Sequence, residues 1–433
     1  MLRREKQPVF EIAPASFMAQ HRKLIVVALG AFLIQLAYWM LFPYEIMLDE
    51  YTFVKTLWDP GWFETVPYAY SKLAVENGVL PYERPLPGYP FDTLEYPFLM
   101  GYIFYLIYLA SGGSFGLFVT IFQFINMLFQ TGIVIILYSL LIRFQPSKKV
   151  RAHALSLLYI ATPATLYFTT SRYDPIPTFF ALLSLYLFTS KKRKSAFAVI
   201  GLGALTKIYP ALLGLVYLKH GILNRQTRRY YLELVGYPLA VVGVGLIPLI
   251  LTNPTGFLHL LLFLGGFGWN WESIYGPIDQ FLRPMIPQLA YVYVHQEWMR
   301  VIFVLACLSV LLLDVKTEWK VVLGSAYAIT AWMETQWFFS PQYFIWIAPL
   351  MLVILPTFPG IVLYFALALI MTLEIPSPFY YLFPMSQFQY GLTISALRWL
   401  ILLAFLLTLL ARIQGDWLQR ARERVRSCWA EEQ

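Results

Sequence analysis

Three groups of side chains in this 433-residue sequence have the types and spacing to do chemistry. The first is a run of acids: Asp49 and Glu50 in Leu-Asp-Glu-Tyr, then Asp59, Glu64, Glu76, Glu83, Asp92 and Glu95. A carboxylate held partly out of water beside a hydroxyl can act as a general base, because burial raises its affinity for the proton it must take. For any single acid the plainer account is a loop that is acidic because the bases are kept on the other side of a membrane. The second group is cationic. Arg172, followed by Asp174 in Ser-Arg-Tyr-Asp-Pro, and Lys207, in Leu-Thr-Lys-Ile-Tyr-Pro, fall at two turns between apolar stretches. Two cations converging on one pocket make a phosphate site, with Arg gripping two oxygens and Lys adding a point charge. The third group is aromatic: Gly268-Trp-Asn-Trp-Glu-Ser-Ile-Tyr-Gly276, with Trp271 and Glu272, and Phe338-Phe-Ser-Pro-Gln-Tyr-Phe-Ile-Trp346, with Gln342. Ring faces beside amide and carboxylate groups suit a sugar, which has an apolar C–H face and a hydroxyl edge. An interfacial aromatic belt is the alternative.

The elements that position these groups follow from composition. Hydrophobic residues make up 59% of the chain, aromatics 18% and charged residues only 13%. Soluble domains carry about 25% charged residues, so a soluble enzyme, a nucleic-acid binder and a disordered scaffold are all poor fits. The composition is that of an all-α polytopic membrane protein. Cys307 and Cys428 make neither a disulfide framework nor a metal cluster. His21, His153, His220, His259 and His295 show no ligand spacing, and no HExxH, CxxC, GxSxG or P-loop motif appears. Neither a metal nor a cofactor is therefore expected.

The first long apolar run, Leu24 to Pro43, reads as a retained span and not as a cleaved signal, since no small-residue cleavage site follows it. Arg3, Arg4, Lys6, Arg22 and Lys23 precede it and orient residues 1–23 toward the cytoplasm. Basic clusters recur near 143–151, 191–194, 219–229, 316–320 and 412–426. Placing each inside pairs the apolar stretches into about twelve helices with both termini cytoplasmic. The expected spans are near 24–43, 115–142, 152–171, 175–190, 195–207, 209–219, 232–251, 300–313, 321–338, 343–356, 359–375 and 391–411. Pro210 permits the break that divides 195–219 into two segments. Residues 24–411 form the membrane domain, and 412–433 a basic cytoplasmic tail touching lipid headgroups. Two outer segments, about 44–113 and 252–299, are too long for simple turns and are expected to be functional. The first includes an amphipathic stretch, Val66 to Asn77, and a short apolar run, Tyr96 to Ala110, suited to a re-entrant or surface helix. Arg300 and Arg398 open later spans from the outside and read as side chains snorkelling to water.

Together the motifs resemble a known group. Glu64-Thr-Val-Pro-Tyr, Glu76-Asn-Gly-Val-Leu-Pro-Tyr82 and Leu94-Glu-Tyr-Pro97 resemble the first outer loop of GT-C membrane glycosyltransferases. So do Tyr173-Asp-Pro, Gly201-Leu-Gly-Ala-Leu-Thr-Lys-Ile-Tyr-Pro210 and Ser340-Pro-Gln-Tyr-Phe-Ile-Trp346. The chain is most similar to glycosyltransferase family 87, which includes polyprenol-phosphate-mannose-dependent mannosyltransferases, over about residues 24–411. The resemblance implies a GT-C architecture and a polyprenyl-phosphate sugar as donor. It also implies an inverting, metal-independent transfer to a glycolipid or glycan acceptor on the outer face of the cell membrane, taken here as a bacterial plasma membrane. The implied catalytic acid is an Asp of the first outer loop. Spacing from Gly78 lands on Glu64, whereas residue type favours Asp49, next to Glu50; both stay open. Arg172, Lys207 and Tyr209 become the donor-phosphate residues. Glu95, Tyr96, Asp174, Trp271, Glu272, Gln342 and Tyr343 become substrate-binding residues. The rivals are a transporter or flippase of lipid-linked sugars, which would place charges mid-membrane and show repeat symmetry, and a glycan polymerase or ligase.

Overall fold

The structure, a computed structural model, describes residues 14–41, 61–78, 96–145, 149–258, 273–276, 297–374 and 387–431, and single positions that include Tyr82 and Leu94. Among these the chain is all-helical. Apolar stretches in a bilayer must satisfy their backbone groups internally, and a helix does this within one segment. In chain order the helices are α1 (Pro14–Leu41), α2 (Gly61–Asn77), α3 (Phe98–Ala110), α4 (Phe115–Phe144), α5 (Lys149–Ala161), α6 (Pro163–Ser171), α7 (Pro175–Thr189) and α8 (Arg193–Thr206). They continue with α9 (Leu212–Leu223), α10 (Arg228–Thr252), α11 (Glu297–Leu308), α12 (Glu318–Thr335), α13 (Phe344–Ile354), α14 (Phe358–Leu373) and α15 (Gln387–Glu431).

Among the described residues, four helical stretches are long and apolar enough to cross a membrane: Arg22–Leu41, Phe115–Phe144, Arg228–Thr252 and Gln389–Gly415. On α1 and α10, Ile25, Leu29, Leu33, Leu239, Val244 and Ile247 are exposed, the outward apolar face that lipid would cover. By contrast α13 is buried along its whole length and is apolar all round, as a central helix must be.

Several breaks are written in the sequence. The stretch near 152–171, expected as one span, divides at Thr162, because Pro163 occupies the first position of α6. The chain also breaks between α8 and α9, where Lys207 is extended and Tyr209–Ala211 forms a 3-10 turn around Pro210. Gly203 is what allows that turn to fold back. A Cβ placed there would lie 2.7 Å from Pro210 Cβ, closer than carbon atoms approach. Residues 412–431, most of the expected basic tail, continue α15 as helix. The run Tyr96 to Ala110 yields α3, which at 13 residues spans about 20 Å. It packs against α2, α4, α8 and α10.

Burial divides into two large apolar clusters. One joins α4 to α9 with α12 to α15 and includes Tyr209, Phe339, Tyr343 and Trp346. The other joins α2, α3 and the first half of α4, with Tyr82, Tyr96, Tyr173, Leu205 and Leu249. Ion pairs tie the ends of α4 and α7 to the start of α12: Arg143 meets Glu318 at 2.8 Å, and Lys191 also pairs with Glu318.

Candidate functional site

The polar centre of the molecule lies where the two apolar clusters meet, and its anchor is Asp174. This residue caps the N-terminus of α7, with Pro175 next in line, and is fully buried. Its Oδ1 accepts from Lys207 Nζ at 2.8 Å and from Trp346 Nε1 at 2.7 Å. An acid at a helix N-terminus and a cation at a C-terminus each complement the helix dipole, so the Asp174–Lys207 pair suits both α7 and α8. Asp174 Oδ2 is buried without a hydrogen-bond partner.

Lys207 sits inside an aromatic box. Its ammonium is 4.8 Å from the ring centres of Tyr173 and Tyr343 and 4.7 Å from that of Trp346. Ring faces attract a cation and displace water from around it. Trp346 is held between two further rings, Tyr343 at 3.7 Å and Tyr209 at 4.0 Å, both nearly parallel to it. Tyr209 is fixed in turn by donating its hydroxyl to Thr178 Oγ1 at 3.0 Å. The Lys207 side chain nevertheless remains 16% exposed, so the box is open on one side.

Arg172 ends α6 one residue before Tyr173. Its Nη1 donates to Ser171 O at 2.8 Å, and its own carbonyl accepts from Asn126 Nδ2 at 2.9 Å, which ties the segment to α4. Tyr96 meets Tyr173 edge-on at 5.2 Å and links the segment ahead of α3 to the centre. Gln342 and Tyr343 lie in a 3-10 turn ahead of α13, with Ser340 Oγ donating to Gln342 Oε1 at 2.5 Å. The structure thus brings together Lys207, Asp174, Tyr209 and Tyr343, sets Tyr96 against Tyr173, the residue after Arg172, and puts Gln342 next to Tyr343. Glu64 belongs to α2, but its side chain is outside the described residues. Asp49, Glu50, Glu95, Trp271 and Glu272 also lie outside them.

One expectation is corrected. Arg398 does not snorkel to water: its side chain is 3% exposed and pairs with Glu374 at the end of α14. Its guanidinium carbon lies 3.6 Å from the ring centre of Phe339. The packing of α15 on α12 and α14 turns this side chain into the bundle. Ser395 Oγ also donates to Glu374 Oε1, at 2.9 Å. Glu334, in the last turn of α12, is buried within the field of Arg398. Phe339 lies edge-on to Tyr343 at 5.2 Å, so a line of rings runs from Arg398 to the Lys207 box. Sequence reasoning missed Glu334, Glu374 and the role of Trp346. A signal for the two acids was present, since each is a lone carboxylate in an apolar stretch, which is costly without a purpose.

Tyr275 donates its hydroxyl to Thr335 O at 3.0 Å, and burial pushes its phenol up to about 12. It anchors residues 273–276 next to Glu334. No family model matches this chain, and no curated protein matches it.

Proposed function

We propose that this protein is an integral-membrane glycosyltransferase of GT-C architecture, with about twelve spans and both termini in the cytoplasm. It would move a hexose, mannose foremost, or a pentose from a polyprenyl-phosphate donor to a glycolipid or glycan hydroxyl at the outer face of the cell membrane. The observation that carries this reading is the Lys207 box: a cation stripped of most of its water, positioned by a buried carboxylate and three rings, and open on one side beside the Arg172 segment. Preorganised positive charge of this kind stabilises an anion that forms as a bond breaks.

In the proposed reaction the acceptor oxygen attacks the anomeric carbon. The bond from that carbon to the phosphate oxygen breaks, and the electron pair leaves with polyprenyl phosphate. Lys207 and Arg172 would meet the charge that develops there. Asp49 or Glu64 would take the proton of the acceptor hydroxyl. Asp174 acts as a positioning residue, since its Oδ1 holds both Lys207 and Trp346. Supplying labelled polyprenyl-phosphate-mannose and an acceptor lipid to the purified protein tests this reading. Lys207→Met should abolish transfer, and either Asp49→Asn or Glu64→Gln should do so as well. Full activity in both acid variants would remove the proposed base.

A second reading, a transporter or flippase of lipid-linked sugars, is favoured by the buried Glu374–Arg398 pair, because ionisable groups inside a helical bundle often line a pathway. Movement of a labelled lipid-linked sugar between leaflets of proteoliposomes, without any new glycosidic bond, would favour it.

A further inference from the structure

The cluster around Arg398 has more negative charge than its partner answers. Glu374 is 3% exposed and pairs with Arg398, and Glu334, on a different helix, is 7% exposed and lies within the field of the same guanidinium. Glu374 Oε1 engages Arg398 Nη1 and Ser395 Oγ, while Glu374 Oε2 has no partner. Glu334 Oε2 is likewise buried without a hydrogen-bond partner. An ionised carboxylate removed from water costs several kcal/mol unless a counter-charge and hydrogen bonds compensate it. Two carboxylates at one buried cation cannot both be compensated. A bound proton resolves the imbalance and, unlike a metal ion or a sugar, needs no cavity.

Among the described residues, the other groups around Glu334 do not supply the missing charge. From α11, Arg300 is exposed, with its guanidinium over the Trp337 ring. From the second outer segment comes Tyr275, which donates to Thr335 O. From α7 comes Asp174, engaged by Lys207, and α13 carries no charged residue. Lys219 and His220 of α9 sit toward the opposite end of α12, where His220 Nδ1 meets Val315 O at 2.8 Å.

We infer that Glu334 and Glu374 form a binding site for a single proton, shared around Arg398 and linked to the Lys207 box through Phe339 and Tyr343. The ligand is a hydron drawn from the outer aqueous phase, and the site exists whether or not the chain transfers sugars. In a membrane bundle such a site makes the packing of α12, α14 and α15 responsive to proton concentration.

Infrared difference spectroscopy on the full-length protein, labelled with carbon-13 glutamate and reconstituted in lipid, tests this directly. At neutral pH the wild type should show the carbonyl stretch of a protonated glutamate, shifted on exchange into heavy water. Glu334→Gln and Glu374→Gln should each abolish that band, because a neutral amide at one position leaves the other acid to ionise against Arg398. Arg398→Gln should increase its intensity about twofold, since both acids then need a proton. Absence of the band from the wild type would overturn the inference, as would a band unchanged in both amide variants. Failure of both amide variants to fold would also overturn it, because an amide has the shape and charge of the protonated acid it replaces.

Discussion

Lys207 Nζ lies 2.8 Å from Asp174 Oδ1, and the same oxygen accepts from Trp346 Nε1, 172 residues further along the chain. One buried carboxylate oxygen thereby joins the start of α7, the end of α8 and the buried helix α13. The pair is exposed only through the lysine, so it can respond to an arriving anion without opening the core.

Asp174→Asn should therefore damage function more than folding. The amide oxygen can still accept from Trp346, but Lys207 loses its counter-charge. Breaking a buried pair costs about 3–5 kcal/mol, and the partial exposure of Lys207 should place this variant at the lower end. Thermal unfolding in detergent would read the stability loss. Transfer from polyprenyl-phosphate-mannose should fall at least tenfold, and an unchanged rate would remove Asp174 from the positioning role.

Trp346→Phe separates the hydrogen bond from the stacking. The ring remains between Tyr209 and Tyr343, while the donor to Asp174 disappears and its acceptor loses a partner. A cost of about 1–3 kcal/mol is expected for that loss. The melting temperature should fall modestly and the transfer rate more than the melting shift explains. A rate that simply follows the folded fraction would show that the indole N–H has no part in holding the site.

Gly203→Ala tests the turn that presents Lys207. The added methyl would press on Pro210, which belongs to the 3-10 turn immediately after Lys207. Overpacking of this kind costs about 1–3 kcal/mol and displaces the turn. Both melting temperature and transfer should drop, whereas Gly214→Ala, with open space at its Cβ, should change neither.

Acid sensitivity should appear at the other end of the bundle. Burial works against an ionised Glu318, but hydrogen bonds and charge from Lys191 and Arg143 outweigh it and hold the carboxyl below its ordinary value. A depressed folded value means that the unfolded chain binds the proton first. The stabilisation is then present above about 4.3, the unfolded glutamate value, and is lost as pH falls through the folded value. With Lys191 70% and Arg143 31% exposed, solvent screening limits the effect to about 1 kcal/mol. Melting curves at falling pH should show Glu318→Gln losing less stability than the wild type over that window. Parallel curves would mean the network contributes nothing.

The helical character of this protein was legible in its apolar runs, and so was the interruption at 207–211, because Pro210 cannot donate in mid-helix. The break at 162 was passed over, although Pro163 carries the same signal. Lys207 and Arg172 stood out because a charge beside an apolar run is expensive and therefore conspicuous. Arg398 was equally conspicuous but was read wrongly, since the same residue near a helix end can reach water or turn inward. Periodicity along α15 does not say what lies across from it.

The sequence by itself determined where the chain must be helical, which stretches suit lipid, and which charged and aromatic residues would be costly to place. Those are local matters of hydropathy and backbone geometry. Tertiary structure alone decided that Asp174 holds Lys207 and Trp346, that Trp346 stands between Tyr209 and Tyr343, and that Arg398 meets Glu374 inside the bundle. The physical reason is that most of these partners lie far apart in the chain, from 24 residues for Arg398 and Glu374 to 172 for Asp174 and Trp346. Their meeting depends on which helix faces pack together, and that is a property of all the helices at once.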